Sequence, residues 1–150
     1  YTVLTLYFAN KEGNELVKEE CEVHYSSNIS LDKLVMTKLI EGPENSELQA
    51  TLPSGTKIVM ISVADGICYV NLDETFKNDQ NNEIMEQIVL YSIVNSLTEL
   101  PDVQKVQLSI NGDSSGNLRF NYSLSELYER DDSLIVSSNA DTVQLSTEEE

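Results

Sequence analysis

The amino-acid sequence predicts one α+β domain, a two-layer sandwich of β-β-α-β-β-α-β order with both helices on one face of the sheet. Three observations support this prediction. Asp65-Gly66 separates two apolar, β-branched segments, the pattern of a hairpin with a two-residue turn. Apolar residues recur at helical spacing through residues 83–100. An alternating segment, 103–110, follows that helix, and a strand after such a crossover pairs parallel to an earlier strand.

Two strands are expected at the start of the chain. Residues 1–9 are rich in β-branched and aromatic types, and a charged segment, 16–25, follows the turn at 10–14. Val17, Cys21 and Val23 are available for burial in the second segment. Its lysines and glutamates discourage further pairing, so we expect an edge strand.

The first helix is predicted at residues 31–41. Ser30 is a suitable N-cap, and Leu31, Leu34, Val35 and Leu39 form an apolar stripe that leaves Asp32, Lys33 and Lys38 to water. Gly42-Pro43 ends the helix, because glycine accepts the left-handed conformation and proline prevents the helix from continuing. Residues 44–55 are expected to form a surface loop.

The second half of the domain begins with hairpin strands at 57–64 and 67–73. Polar residues 77–82 then supply caps for the long second helix. Near the end of that helix lie four polar residues, which either hydrogen-bond an adjacent loop or contact a ligand: Asn95, Ser96, Thr98 and Glu99. After Asn111-Gly112 we expect a short strand at 118–122 and a turn or helix at 124–128.

Residues 1–136 are therefore predicted to form one domain, and residues 137–150 an acidic, disordered tail that contributes little to stability. The chain of 150 residues has a formal net charge of −17. Such a surface repels phosphate backbones and anionic headgroups, which excludes nucleic acid as a partner. The chain starts at Tyr1 and is expected to be part of a longer protein.

No catalytic group of residues is recognisable in the sequence. His24 is the only histidine, and Glu19, Glu20 and Glu22 are interpreted as a solvated strand face. Asp73, Glu74 and Asp79 lack the spacing of a calcium loop, so no metal or cofactor is expected. Cys21 and Cys68 are interpreted as buried apolar residues, with a disulfide between them as the alternative. The two glycosylation-like triplets at Asn28 and Asn121 are given no role.

A set of short motifs, in their order and spacing, resembles the GerMN domain of sporulation and spore germination proteins over residues 3–130. The motifs are Glu41-Gly42-Pro43, Leu52-Pro53-x-Gly55-Thr56, Asp65-Gly66-x-x-Tyr69-Val70-Asn71-Leu72, Phe76, Ile93-Val94-Asn95-Ser96-Leu97-Thr98-Glu99-Leu100-Pro101-x-Val103-x-x-Val106 and Asn111-Gly112. The core also resembles the ring-building motif of secretion and sporulation-channel proteins. Ser96 departs from the usual threonine, and the acidic residues of the second strand depart from a commonly basic segment.

This resemblance implies an extracytoplasmic, membrane-anchored lipoprotein domain without enzymatic activity. The first functional hypothesis is a non-catalytic module that docks onto envelope proteins or assembles with copies of itself, through a helix, a sheet face or the loop 41–56. The alternative is a peptidoglycan- or glycan-binding domain that assists a cell-wall hydrolase. A pocket lined by Tyr69, Tyr91 and polar groups near Asn95 would favour the alternative, because sugar faces stack on aromatic rings.

Overall fold

The computed structural model describes residues 1–136, so the prediction of a disordered tail at 137–150 lies outside the described residues. The elements are β1 (Thr2–Ala9), β2 (Leu16–Val23), α1 (Leu31–Glu41), β3 (Ile58–Ala64), β4 (Ile67–Leu72), α2 (Glu74–Asn78), α3 (Glu86–Leu97), β5 (Lys105–Ile110) and a 3-10 turn (Asp132–Leu134). The α+β class is confirmed. The order differs from the prediction by α2, a single turn of helix after Asp73 that buries Phe76.

The strands form two separate sheets. β1 and β2 are an antiparallel pair, and β3, β4 and β5 form the second sheet in that order. β5 lies parallel to β4, as predicted for a strand that follows a helical crossover. In the turn between β3 and β4, Asp65 and Gly66 have φ angles of 54° and 79°, as a type I′ turn requires.

The helices cover one face of the three-stranded sheet. Cys68, Val70 and Leu72 alternate with more exposed residues along β4, so one face of the sheet is buried and the other is open. α1 contacts β3, α3 contacts β5, and the two helices contact each other. The prediction that both helices share one sheet face is therefore confirmed. The β1–β2 pair packs against another side of α3, so this helix lies between the two sheets.

α3 is buried on every side. Only Gln87 and Tyr91 of its residues are partly exposed, and the apolar members include Ile88, Leu90 and Ile93. The helix is shorter than the predicted span of 83–100. Asn81 forms a turn instead, because its carbonyl accepts the backbone N–H of Ile84 at 3.1 Å. α3 therefore begins only at Glu86.

The chain after β5 wraps around the domain without forming the strand predicted at 118–122. The backbone groups of Tyr128 exchange hydrogen bonds with those of Val106, each 2.9 Å long, which covers the outer edge of β5. Further on, the Val136 N–H donates to the Leu16 carbonyl at 2.8 Å. The C-terminal part of the described chain thus links the second sheet to the first. A turn or helix is expected at residues 124–128, and the structure has a turn at residues 124–125.

The turn between β1 and β2 fits closely against the start of α3. Gly13 has a φ of +73°, and a Cβ built there would lie 2.2 Å from the Glu83 carbonyl oxygen. The Gly13 carbonyl also accepts the Met85 N–H at 2.9 Å. A side chain at this position would therefore be strained and would push the turn away from the helix.

Gly13→Ala is expected to lower the free energy of unfolding by about 3 kcal/mol, since left-handed strain and a backbone clash act together. Gly112→Ala is the matched control: its φ is +81°, yet no atom lies within 4 Å of the built Cβ. Gly112→Ala should lower the free energy of unfolding by only about 1 kcal/mol. Urea unfolding followed by circular dichroism measures both values, and equal losses would contradict the packing argument.

Candidate functional site

Two serine hydroxyls on α3 hold β1 against the helix. Ser92 donates its hydroxyl to the Tyr7 carbonyl at 2.6 Å, and the Tyr7 N–H donates to the Ser96 hydroxyl at 3.0 Å. The serines lie one helical turn apart and so face the same strand residue. The Thr51 hydroxyl shares a 2.6 Å hydrogen bond with that of Ser92, and Thr51, Ser92 and Ser96 are all buried. These bonds satisfy backbone groups that the second strand does not reach.

Asn95 holds the C-terminal segment. Its side-chain amide donates to the Asp131 carbonyl at 2.9 Å, and its side-chain oxygen accepts the Asp131 N–H at 3.0 Å. The side chain is fully buried. This geometry agrees with the interpretation that the polar residues of α3 hydrogen-bond a neighbouring loop, and a ligand contact by Asn95 stays a prediction. Thr98 donates its hydroxyl to the Val94 carbonyl within its own helix.

Glu99 and Arg130 complete this polar network around Tyr7. The Tyr7 hydroxyl donates to the Glu99 carboxylate at 2.6 Å and accepts from the Arg130 guanidinium at 2.8 Å. Arg130 also pairs with Glu99 at 2.9 Å and lies 5.2 Å from the centroid of the Tyr7 ring. Burial raises the pKa of Tyr7, and the hydrogen bond to Glu99 adds to the effect. The phenol therefore remains a protonated donor.

Glu86 forms a second anchor at the other end of α3. Its carboxylate accepts the backbone N–H groups of residues 119–122 at 2.8 to 3.3 Å. Burial alone would raise the pKa of Glu86, but the backbone N–H donors from Asn121, Phe120, Arg119 and Tyr122 outweigh it and lower the pKa. The sequence assigned Glu86 only to the first turn of the helix. Its carboxylate fixes a turn more than thirty positions away in the chain.

The predicted ligand residues Tyr69, Tyr91 and Asn95 do not line one common pocket. Tyr69 lies on the open face of β4 beside a small hollow of about 160 Å³ with Gln107 and Ser109. Tyr91 packs edge to face with Tyr122 and Tyr128, at centroid distances of 6.3 and 6.2 Å. These three tyrosines border a shallow depression of about 550 Å³. A role of Tyr69 or Tyr91 in ligand binding stays a prediction.

Within residues 1–136, β3 forms a free edge of the three-stranded sheet, since it occurs at the end of the strand order. None of its seven residues is buried, and none is charged. Met60 is 66% exposed and Val59 53%, which is unusual for apolar residues in a strand. Sequence reasoning missed this surface, because the same apolar pattern predicts a buried strand.

His24 and Asp73 contact neighbouring residues of the domain. His24 is exposed and lies against the Tyr1 ring, with 4.1 Å between ring centroids. Asp73 accepts the Lys57 N–H and the Thr75 hydroxyl. Among residues 1–136, no three histidine, cysteine, aspartate or glutamate side chains lie together as a metal site would require. Within the same residues no helix is both long and apolar enough to span a bilayer.

Both cysteines are free and buried, as predicted, and the alternative of a disulfide is wrong for this structure. Cys21 lies on β2 and Cys68 on β4, which belong to different sheets. Burial, followed by the charge of Asp32, raises the pKa of Cys68 to about 12. The Cys68 thiol is thus protonated at neutral pH and unreactive.

Glu86→Gln should lower the free energy of unfolding at pH 7 by about 2 kcal/mol, because the charge-assisted hydrogen bonds are weakened. The pKa of Glu86 is lower in the folded state, so its contribution is complete above the unfolded-state value of about 4.3. It is lost as the pH falls through the folded pKa. Urea unfolding between pH 7 and 3 should show the wild-type and variant curves converging. Glu83→Gln, at an exposed neighbour, is the control.

Asn95→Ala should release the segment around Asp131 while leaving α3 intact, since two hydrogen bonds are lost at one backbone residue. We expect a loss of about 2 kcal/mol and faster amide hydrogen exchange in residues 129–136. Thr98→Val removes only a hydrogen bond within the helix and should change the exchange of that segment little. Unchanged exchange in the Asn95 variant would contradict the anchoring role.

Solved structures of other proteins share this fold. The first GerMN domain of the sporulation protein GerM from Bacillus subtilis superimposes with a TM-score of 0.73 at 23% identity, covering 87% of this chain and 98% of that one. The tandem GerMN domains of the same protein give a TM-score of 0.71 at 22% identity over 89% of this chain, which spans 47% of the tandem structure. A Clostridium perfringens protein, described as a candidate lipoprotein, gives 0.61 at 24% identity, covering 87% of this chain and 89% of that one.

No curated protein sequence matches the chain. The model of one family does match, over residues 5–116, and it is described as "Germane: Sporulation and spore germination". This span runs from the middle of β1 to beyond β5 and includes all three α-helices, together with the motifs by which the sequence resembles the GerMN domain. The chain belongs to the sporulation and spore germination family of GerMN-type domains.

Proposed function

We propose that this domain is a non-catalytic interaction module of the bacterial cell envelope, which docks in sporulation or germination through the free edge of β3. One observation carries the proposal: β3 is a seven-residue edge strand without a charged residue or a buried one. Unpaired backbone groups at such an edge are a template for a strand of another chain.

The contrast between β2 and β3 supports this choice. Natural edges are protected by charge, and β2 carries Lys18, Glu19, Glu20 and Glu22 along its length. β3 has one irregularity of register near Ile58 and no charge at all. In a chain with a net charge of −17, an uncharged, exposed strand is a specific exception.

Two of the other surfaces considered from the sequence are engaged within the domain. α3 is buried by both sheets. The loop 41–56 pairs with β1 through Gln49 and Ala9, whose backbones exchange hydrogen bonds of 2.8 and 3.1 Å. Its start is held by Glu19, which accepts the N–H groups of Glu44 and Asn45 at 3.0 Å. By contrast, the backbone of β3 has no hydrogen-bond partner other than β4 among residues 1–136.

The partner that fits this edge is a second GerMN-type domain. Antiparallel pairing of two β3 strands about Ile61 sets Lys57 of one copy opposite Asp65 of the other, because these residues flank the strand symmetrically. Two ion pairs would then close the ends of an uncharged strand pair. The tandem domains of the Bacillus subtilis relative are a precedent for two such domains in one protein. An envelope protein that offers an uncharged strand is the alternative partner.

An envelope location is part of the same proposal. It draws on the family's association with sporulation and spore germination and on the fold shared with a candidate lipoprotein. The lipid anchor would lie outside this chain. Repulsion between two domains of this charge is screened over about 8 Å at physiological salt, so contact at an uncharged strand remains feasible.

Met60→Lys should abolish self-association, because a lysine on an edge strand opposes pairing. Phe120→Lys is the matched control, since Phe120 is 75% exposed and lies outside β3. Lys57→Glu should weaken association about tenfold, whereas Lys33→Glu on α1 makes the same charge change elsewhere. Sedimentation velocity over a concentration series in 0.15 M salt measures the effect.

A photo-crosslinking residue at position 60 would capture an envelope partner if purified domains remain monomeric. Equal loss of association in the Met60 and Phe120 variants would contradict docking at β3. So would the absence of both self-association and crosslinks from position 60.

A second candidate function is peptidoglycan binding. The depression beside Tyr91, Tyr122 and Tyr128 combines aromatic rings with polar groups such as Asn121 and Glu126, a composition that suits sugars. Soluble peptidoglycan fragments, titrated into the labelled domain, should shift amide signals around Tyr122 if this function holds. Tyr122→Ala should remove the effect and Tyr69→Ala should not. Specific binding of this kind without a protein partner would favour the glycan function over docking.

A further inference from the structure

A cavity of about 440 Å³ opens beside the middle of β3, between the start of α1 and the turn that follows α3. Its apolar lining includes Ile61, Val63 and Leu100, and its polar lining includes two carboxylates, Asp32 and Asp102. A volume of this size accommodates a long side chain or a small ligand. No lysine, arginine or histidine lines it.

Asp32 is the unusual residue of this cavity. The sequence predicts that it faces water, yet only 6% of its surface is exposed. Within residues 1–136 its carboxylate accepts no side-chain or backbone hydrogen bond and forms no ion pair, in contrast to Glu86 with its four backbone donors. Neither carboxylate oxygen is among the fully buried side-chain atoms, so the carboxylate is open to the cavity and can be reached from it. Its position in the first turn of α1 is favourable for a negative charge.

The rest of the cavity favours a cation on an aliphatic stem. Tyr25 lies at the rim and is 51% exposed, so its ring is accessible for a cation–π contact. Asp102 is exposed and adds negative charge at the entrance. Apolar walls around a buried carboxylate match methylene groups that end in an ammonium or guanidinium group.

We propose that this cavity receives a lysine or arginine side chain of a docking partner, with Asp32 as its counter-ion. Ile61 and Val63 belong to β3, so a chain that pairs with the free edge would run past the entrance. This inference deepens the proposed function. It rests on that function at one point only, namely that a docking partner supplies the side chain. The cavity itself can be tested with a small probe.

The test is an amide NMR titration of the full chain with Nα-acetyl-lysine N-methylamide in 0.15 M salt. Saturable shifts should be confined to the cavity, around Asp32, Ile61 and Val63. The norleucine analogue, which keeps the stem and lacks the charge, should bind at least tenfold more weakly. The arginine analogue should compete with lysine at the same residues. Cadaverine tests whether a free amine is accepted as well as a side chain.

Asp32→Asn should weaken lysine binding at least tenfold, whereas Asp79→Asn makes the same charge change at the exposed end of α2 and should leave it unchanged. Asp102→Asn, at the entrance, should reduce binding about twofold to threefold. The Tm of the Asp32 variant should stay close to that of the wild type, because the carboxylate has no hydrogen-bond or ion-pair partner within residues 1–136. Lower Tm together with unchanged binding would show that the carboxylate serves the fold, and would overturn the proposal.

Equal binding of the norleucine analogue would also overturn it, since the cavity would then select only apolar groups. Amide shifts scattered over the acidic surface, and not confined to the cavity, would also overturn the proposal. Met60→Lys separates this inference from docking at β3: it should remove self-association and leave lysine binding intact. If lysine binds but neither self-association nor a crosslink from position 60 is found, the cavity is supported and only the proposed function is contradicted.

Discussion

The burial of α3 between two sheets is the constraint on which the other features depend. A helix with its apolar residues distributed around its whole circumference has no side to offer to water. The β1–β2 pair and the three-stranded sheet must therefore both be present for either to pack. The few polar groups on α3 need partners inside the protein, and an unsatisfied one would cost about 1–3 kcal/mol. Ser92 and Ser96 meet this need through the backbone of Tyr7.

The same helix also fixes the long C-terminal segment at two places. Glu86, at its first residue, collects the N–H groups of the turn at 119–122. Asn95, near its last turn, pairs with the backbone of Asp131. Between these anchors Tyr128 closes the free edge of β5. A segment with almost no regular secondary structure is thus ordered by side chains of a single helix, and in the part of the chain that the structure describes only the β3 edge of the second sheet is left open.

Local patterns in the sequence predicted the elements well, because their causes are local. Asp65-Gly66 determines its turn through the backbone conformations that these residues accept, and the spacing of apolar residues determined α1 and the body of α3. Contacts between residues that are far apart in the chain could not be predicted from the sequence. The burial of Asp32, the anchoring by Glu86 and the separation of Tyr69 from Tyr91 all depend on how elements pack. Nor does an apolar run distinguish a covered strand from the exposed edge at β3.

The link between Val136 and Leu16 has a mechanical consequence. Val136 is held beside the end of β2 that pairs with Ala9, whereas Thr2, at the start of β1, pairs with Val23 at the opposite end. Tension applied between residues 1 and 136 therefore acts along the β1–β2 ladder. This tension loads all the hydrogen bonds of the ladder at once, in shear. A pull across the strands would instead break them one at a time. Such a geometry resists a stretching force better than one in which the hydrogen bonds open in sequence.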